Sequence, residues 1–378
     1  MKRTQYLFSL ICLVAIMILI GIPTGFEKQI YKNAEGVKAR VITTNESTVY
    51  QAGLLKQGSQ TCTLEILQGS FKGKQVEGVN LLTGKLEMDK LYKQGDKAYV
   101  LLEKDDNNQI VYVNMIDYYR LDSEVFLMGL FVMSLLIFAG RTGARTILSF
   151  AFSLLCIWKV LIPSLLKGYH PMLVSLCIGI TMAVVTLLLV GGFTKKAYCA
   201  ILGTISASLL TCVIAILFGV LFKIDGAVME WSEPLLYAGF EKLNLTLIYQ
   251  GGIYLACSGA IVDLTMDISA AIEEVIDQKP DITRKEILAS GIRIGRSVVG
   301  SQITTLLLAY MGSFITVMMV YMAQGTPMLS IFNMQSIASE ILHTFVGCMG
   351  LVVVSPLTAL ICSHVYTKSH SDEEHISF

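Results

Sequence analysis

The chain alternates between long apolar runs and a single extended polar segment. The first apolar run covers residues 7–22 and follows Lys2 and Arg3. About 20 helical residues, rising 1.5 Å each, cross a bilayer core of ~30 Å. The pattern therefore predicts an all-α transmembrane bundle of about eight helices. The seven further runs are residues 125–140, 146–163, 171–192, 197–221, 245–270, 298–322 and 341–365.

The polar segment, residues 26–123, has the pattern of short strands. Residues 61–67 read Thr-Cys-Thr-Leu-Glu-Ile-Leu and alternate between two faces, as a half-buried strand does. Further strands are predicted at residues 37–42, 74–82, 97–103 and 109–117, with glycine, aspartate and asparagine between them. This predicts a small extracytoplasmic β domain, an OB-like barrel or a sandwich. Either it binds a ligand or partner, or it is a folded spacer.

The composition agrees with a membrane protein and excludes several other classes. Hydrophobic residues make up 54% and charged residues 15%, and the mean hydropathy is +0.62. A net charge of zero gives no sign of a nucleic-acid partner. Eight of the nine cysteines lie in apolar runs, and Cys62 has no partner in the polar segment, so no disulfide framework is expected. No spacing predicts a metal site, and no cofactor is expected.

Basic residues predict the orientation of the chain. Alternation from a cytoplasmic N-terminus places the loops that are rich in lysine and arginine on the inner side, as the positive-inside rule requires. Both termini are then cytoplasmic and residues 26–123 lie outside. The basic residues of the inner segments are Arg141, Arg145, Lys195, Lys196, Lys279, Arg284, Lys285, Arg293, Arg296 and Lys368.

Four segments follow from this orientation. Residues 1–25 are a transmembrane anchor, because no small-x-small cleavage signal follows the first apolar run; a signal peptide is the alternative. Residues 26–123 form the β domain, and residues 124–368 form a seven-helix transmembrane domain. Residues 369–378 form a cytoplasmic tail.

Two aspartates near the inner end of run 245–270 are the leading candidates for chemistry. Asp263 and Asp267 are four residues apart and share one helix face. A charged carboxylate at the centre of a membrane helix costs about 2.5–3.5 kcal/mol, and both desolvation and a neighbouring like charge favour its protonated form. The pair is a candidate for binding a coupling proton or ion. Alternatively, both aspartates are structural, solvated at the cytoplasmic interface or paired with arginines.

The next apolar helix carries a polar face that could respond to this charge. Small residues in it allow close helix approach, and hydroxyls can bond across helices. The supporting residues are Arg293, Arg296, Gln302, Thr304 and Thr305. His343, in the last run, is interpreted as a packing residue in preference to a proton relay.

Several enzyme classes are excluded by missing motifs. The chain contains no GxxxxGK[ST] loop, no GxSxG and no HExxH. Intramembrane aspartyl proteolysis needs two aspartates facing each other across the substrate. Asp263 and Asp267 lie on one helix and cannot enclose a peptide. The chain is therefore predicted not to be an enzyme.

Several segments resemble the YibE/F family of bacterial multi-spanning membrane proteins. They are GAIVDLTMDISAAIEEV, SGIRIGRSVVGSQITTLLLAYMGS, IPSLLKGYHPML and GGFTKKAYCAILGT. The resemblance covers about residues 125–368. It implies a plasma-membrane protein with an outer domain after its first helix, and it implies little about activity.

A second resemblance concerns mechanism. Gly259-x-x-Val262-Asp263, followed by a charged loop and Thr304-Thr305-Leu306, is similar to the segment of SecD/SecF and RND-type exporters that carries a proton-coupling aspartate. The chain departs from that pattern in its predicted eight spans, where one such half has six, and in its smaller outer domain. The likeness implies proton coupling at Asp263 by analogy alone.

Two functional hypotheses follow. The first is an ion-gradient-coupled secondary transporter or export-assisting protein that uses an intramembrane aspartate. The second is a non-catalytic scaffold or regulatory subunit whose outer β domain binds a partner. The lipid bilayer is the expected environment. A homo-oligomer or a homologous partner subunit is the expected assembly.

Overall fold

The computed structural model describes residues 2–26 and 33–374 and divides them into two compact units. One unit lies within residues 27–137 and contains all the strands; the other combines residues up to 26 with those from 138 onward. The strands are β1 (Ala34–Asn45), β2 (Tyr50–Ala52), β3 (Leu55–Ile66), β4 (Gln75–Thr83), β5 (Lys97–Lys104) and β6 (Ile110–Tyr118).

Five of the strands close into a barrel. β1 pairs antiparallel with both β3 and β5, β6 joins β5 to β4, and β4 pairs with β3. The β4–β6 contact is parallel and consists of the pair Val79 and Asn114. The short β2 extends β3 at its edge. This is a small barrel of the OB kind, so the barrel alternative of the prediction is correct and the sandwich alternative is wrong.

Alternating burial explains why these segments form strands. In β5, Ala98, Val100 and Leu102 are fully buried while their neighbours face outward. Cys62 lies in the same core, where desolvation and, after it, the charge of Glu46 raise the pKa of its thiol to about 11. Each of the five predicted strands overlaps a strand of the structure, and the three-residue β2 was missed.

Two buried amides hold the long connection between β4 and β5. Asn80 donates to the side-chain oxygen of Gln60 over 3.1 Å and to the backbone oxygen of Lys90 over 2.6 Å. Gln60 donates to the Tyr92 carbonyl over 2.8 Å and accepts from the Tyr92 N–H over 2.9 Å. Both amides are almost fully buried, so these bonds fix the path of residues 90–92 across the barrel.

The remaining elements are helical. Residues 157–161 form a π-helical stretch, and residues 226–228 form a 3₁₀ turn. The helices are α1 (Lys2–Gly21), α2 (Leu121–Cys156), α3 (Ile162–Leu166), α4 (Pro171–Gly191), α5 (Lys195–Leu221), α6 (Ser232–Leu235), α7 (Leu245–Gln278), α8 (Arg284–Ala323), α9 (Met328–Asn333) and α10 (Gln335–Glu374). Of the predicted tail, residues 375–378 lie outside the described part of the chain.

The number of candidate spans is smaller than predicted. Among the described residues, six helices are long and apolar enough to cross a membrane, or seven if the bent helix α8 counts as one. The predicted spans 125–140 and 146–163 fall in one helical stretch, Leu121–Leu166, interrupted only by the non-helical backbone of Gly140 (φ 52°, ψ −120°). No polar loop separates them, and 16 residues rise only about 24 Å as a helix. The prediction of eight spans is therefore wrong.

Helices α5, α7 and α10 pack against one another at the centre of the helical unit, and α7 and α10 also pack on α8. Small residues allow the close approach. A Cβ on Gly203 of α5 would lie 2.7 Å from Thr358 Oγ1, and one on Gly291 of α8 would lie 2.7 Å from the Ala359 Cβ. A fully buried apolar core that includes Ile261, Leu264 and Leu351 fills the space between them.

One end of the helical unit is called the basic end here, because Lys196, Arg284 and Lys285 lie there. At this end Lys196 pairs with Glu273 over 2.9 Å, and the Arg284 guanidinium contacts the His364 ring. The first turns of α1 reach this end too, where Phe8 packs edge-on against Phe193. At the opposite end Tyr249 donates to the Ser339 carbonyl over 2.5 Å. The basic end contains residues that the sequence assigns to the inner side.

Candidate functional site

Asp263 and Asp267 lie on the exposed face of α7. Gly252, Ala256 and Gly259 continue this face toward the other end of the helix, at the spacing of successive turns. The opposite face is buried in the helical core. The sequence correctly placed the two carboxylates on one helix face, and the structure adds that this face points away from the core.

Packing against α4 and α5 fixes the depth of the two carboxylates along the bundle. Met266 lies over Gly191, the last residue of α4, since a Cβ on that glycine would be 2.1 Å from the Met266 Cε. Asp267 is therefore level with the end of α4. Asp263 is one helical turn, about 6 Å, further into the apolar part of the helix.

The predicted polar face of α8 is also exposed. Arg293, Arg296, Thr304 and Thr305 are exposed and Gln302 is half-buried. Gly291 and Gly295 face inward instead, where a Cβ would meet Ile272 and Ile268 of α7, respectively. Helices α7 and α8 run antiparallel, so each step along one helix matches a step back along the other.

This register places the candidate residues at matching levels. Counting from the Ile268–Gly295 contact, Asp267 is level with Arg296, and Asp263 is level with Gly300. The exposed faces of α7 and α8, here called the lateral face, comprise Gly252, Ala256, Gly259, Asp263 and Asp267 of α7 and Arg293, Arg296, Gly300, Ser301 and Thr304 of α8.

The charged groups of the lateral face are not joined to one another within the chain. Among the described residues, Asp263, Asp267 and Arg296 make no hydrogen bond and no ion pair. Arg293 donates to the Ser290 hydroxyl over 3.4 Å. The Thr304 and Thr305 hydroxyls donate to backbone carbonyls of their own helix, over 3.1 and 3.0 Å. The structure thus places all seven predicted residues on two neighbouring helices and pairs none of them across the helices.

Sequence reasoning singled out His343 as a packing residue but missed the group of buried polar residues around it. His343 stacks on Tyr310 with ring centroids 4.3 Å apart, and its Nε2 is buried without a hydrogen-bond partner. Glu340, one turn away, is half-buried. Serine, threonine and glutamine residues of α5, α7 and α10 are fully buried nearby. Neutral polar residues are common in apolar helices, so no pattern in the sequence indicates that these residues converge.

The geometry does not assemble a metal site in the part of the chain that is described. No group of three or more histidine, cysteine, aspartate or glutamate side chains there could hold an ion. The charged groups of the lateral face are carboxylates and guanidinium groups. A carboxylate can bind a proton or a cation, and a guanidinium group can bind an anion.

The fold and the site together define a class of protein. One chain combines an OB-type barrel with a bundle of long apolar helices, and charged residues on the outer face of that bundle have no partner among the described residues. Family comparison agrees with this architecture. The YibE/F-like protein family matches residues 127–368, and the YibE/F family N-terminal domain matches residues 31–118. The chain belongs to the YibE/F-like family. No curated protein matches it, and no solved structure matches it.

Proposed function

We propose that the chain is a multi-pass protein of the bacterial plasma membrane, with both termini cytoplasmic and residues 26–123 outside. Six or seven helices of sufficient length and apolarity support a chain that crosses the membrane several times. So do large apolar side chains that face outward, such as Phe126, Ile137 and Phe138 at 74%, 80% and 93% exposure. Water disfavours such surfaces, whereas lipid covers them.

Within that membrane the protein works as an ion-gradient-coupled secondary transporter or export-assisting protein. The observation that carries this proposal is Asp263, a carboxylate that has no partner among the described residues and lies one turn inside an apolar helix. An ionised carboxylate at the centre of a bilayer costs about 2.5–3.5 kcal/mol on insertion scales. Binding of a proton or cation removes that cost, and release restores it. Asp263 is the coupling group, and Asp267, one turn nearer the end of α4, tunes its affinity.

A second copy of the chain covers the lateral face. Charge complementarity argues for this occupant: a two-fold axis parallel to the helices keeps each residue at its own level, so Asp267 of one copy meets Arg296 of the other. Gly252, Ala256 and Gly259 lack bulky side chains and permit the helices to approach closely. The coupling site is then complete only in the dimer.

The test is titration of buried carboxyls by infrared difference spectroscopy on the reconstituted protein. A protonated carboxyl band that titrates near neutral pH is expected in the wild type and is lost in Asp263→Asn. Glu340→Gln and Asp277→Asn are the matched controls, the first inside the bundle and the second exposed at the end of α7; both retain the Asp263 band. A band that survives in Asp263→Asn, or no band at all, contradicts proton coupling at Asp263.

A scaffold or regulatory subunit is the second candidate, and the β domain carries the observation that favours it. Leu54, Leu81 and Leu86 are 86%, 63% and 71% exposed, and Leu54 and Leu86 line one groove. Exposed leucines at one edge of a small barrel suit an apolar partner segment. A scaffold tolerates Asp263→Asn without loss of activity in cells, whereas a transporter folds normally and loses it.

A further inference from the structure

The interior of the bundle contains a continuous series of polar side chains between α5, α7 and α10. Thr204 and Thr265 hydrogen-bond to each other over 2.9 Å, and both are buried. Cys362 donates to the Ser269 hydroxyl over 3.7 Å. Thr211 donates to the Ala207 carbonyl over 2.8 Å. These groups are buried among helices that are otherwise apolar.

The packing of the three helices shows that the groups follow one another along the bundle. Lys196 contacts Glu273, and Thr204 contacts Thr265, so α5 and α7 run antiparallel in constant register. On α10, Thr358 lies beside Gly203 and Gly350 beside Thr211, which continues the same antiparallel order. Extending this register puts Glu340 level with Leu221, the last residue of α5.

The polar file, as this series is named here, therefore spans the whole length of α5. From residue 196 to residue 221 the helix rises about 37 Å, which exceeds a bilayer core of ~30 Å. At one end Glu273 pairs with Lys196 and accepts a hydrogen bond from the Tyr366 hydroxyl over 3.1 Å. At the other end Glu340 lies close to Tyr249 and Tyr310.

Buried polar atoms without a hydrogen-bond partner lie in the middle of the file and toward its Glu340 end. In the described chain, four buried polar atoms of α7 and α10 have no partner: Gln250 Oε1, His343 Nε2, Thr344 Oγ1 and Thr358 Oγ1. The Ser208 and Tyr254 hydroxyls interact with each other, and both residues are fully buried. Three of the four side chains without a partner are at most 3% exposed. A buried polar atom without a partner is strongly destabilising, and lipid cannot supply one.

We propose that water occupies the polar file and that the file relays protons between Glu340 and Glu273. Each water bridges two or more of the unmet groups, as buried waters do. Hydroxyl groups both donate and accept, so a chain of hydroxyls and water can pass a proton and then reorient. The inference rests on the membrane location proposed above. It does not depend on Asp263, which lies on the opposite side of α7.

Hydroxyl-radical footprinting with X-ray pulses tests the water directly, because radicals form from water inside the protein. Cys362 of the file is fully buried, and so is Cys199 of α5, which hydrogen-bonds to it. Cys156 of α2 lies outside the file and is 6% exposed. We expect several-fold faster oxidation of Cys199 and Cys362 than of Cys156 in the intact, purified chain. Oxidation no faster than that of Cys156 means that the file is dry, and the proposal fails.

A pair of threonine variants ties the water to the file. Thr358→Val removes an unmet hydroxyl of the file, and Thr304→Val removes one on the lateral face that bonds only to its own helix. Oxidation of Cys362 is expected to fall several-fold in Thr358→Val and to stay unchanged in Thr304→Val. Equal rates in both variants overturn the assignment.

Proton conduction is measured in vesicles that hold a pH-sensitive dye, with a potassium diffusion potential as driving force. The wild type is expected to acidify vesicles several-fold faster than protein-free vesicles do, and Glu340→Gln is expected to abolish the difference. A wild-type rate equal to that of protein-free vesicles overturns the relay. Footprinting is independent of the Asp263 carboxyl band, so a dry file with a titrating band refutes this inference alone. A wet file without a band refutes coupling at Asp263 alone.

Discussion

The lateral face and the polar file place polar groups at the same depths of one bundle in opposite ways. The lateral face presents charges outward on α7 and α8, and no partner among the described residues meets Asp263, Asp267 or Arg296. The file buries mostly neutral groups between α5, α7 and α10, and four of its atoms lack partners in the described chain. In both places the isolated chain is incomplete. In the proposals made above, another copy of the protein completes the lateral face, whereas water alone completes the file.

The difference has an energetic basis. A charge in an apolar surrounding is costly enough that a second macromolecule must neutralise it or a proton must bind it. A neutral hydroxyl costs much less to bury, and one water molecule satisfies it. The two regions therefore respond differently to substitution, and four predictions test the contrast.

The largest expected effect separates two glycines of α8. A Cβ on Gly295 would lie 1.5 Å from Ser355 Oγ, whereas nothing lies within 4 Å of one on Gly300. Gly295→Val should destabilise the fold by about 3 kcal/mol or more, as overpacking does. Gly300→Val should leave protomer stability near that of the wild type and weaken dimer formation. Thermal unfolding in detergent and dimer fraction in lipid measure the two effects; equal unfolding temperatures would remove the distinction between inward and lateral faces.

Charge reversal on the lateral face should have the next largest effect. Asp267→Arg and Arg296→Asp each place like charges at the proposed two-fold contact. Each should weaken the dimer by about 2 kcal/mol, roughly 30-fold, because two like charges then meet at the contact. The double variant should restore the affinity. Single-molecule photobleaching in lipid measures the dimer fraction, with Asp277→Arg as a control. A double variant no better than the single variants argues against the contact.

The free energy of unfolding also distinguishes a polar file that contains water from one that does not. Thr204→Val breaks the 2.9 Å bond to Thr265 and should cost about 1 kcal/mol. Thr358→Val should cost a similar amount if its hydroxyl bonds to water, and should stabilise the protein if the hydroxyl is truly unmet. We expect destabilisation in both variants, measured by unfolding in mixed micelles. An increase in stability for Thr358→Val would indicate an empty file.

The smallest expected effect concerns the ion pair between Glu35 and Lys104, which is the reference for a charged pair in water. In the β domain, hydrogen bonds from Lys104 and then the Ser70 N–H hold the pKa of Glu35 below its ordinary value. This stabilisation is present above the unfolded-state pKa and is lost as pH falls through the folded-state pKa. Glu35→Gln should cost about 1 kcal/mol or less at pH 7 and nothing in strong acid. Pulse proteolysis of the full chain in urea measures it; a cost that persists in acid would exclude the charge as its cause.

Different parts of the molecule could be predicted to different extents, for physical reasons. The strands of the barrel follow from period-two burial, so residues 37–42 and 97–103 were placed inside β1 and β5. The same reasoning missed β2, which has three residues and all of them exposed. Hydropathy located the apolar helices, but it counted two spans around Gly140 where a continuous stretch has one break in its backbone. Hydropathy measures composition and carries no information about a single φ angle.

The candidate site shows the same limit. The spacing of Asp263 and Asp267 is enough to place them on one helix face. Whether that face points inward depends on which neighbours α7 has, and both faces of α7 contain small or apolar residues. The polar file could not be predicted, since Ser208, Gln250 and Thr358 become neighbours in one series only through the register of three helices.

The buried thiol of Cys62 links the barrel to the time course of export. If residues 26–123 face an oxidising compartment, as proposed, this lone cysteine encounters oxidants and other thiols there. Once the barrel has closed, the thiol is fully buried and its raised pKa leaves little reactive thiolate. Protection therefore depends on how quickly the strands assemble after the chain crosses the membrane. On the proposed location, slower folding would leave the Cys62 thiol exposed to mixed-disulfide formation for longer.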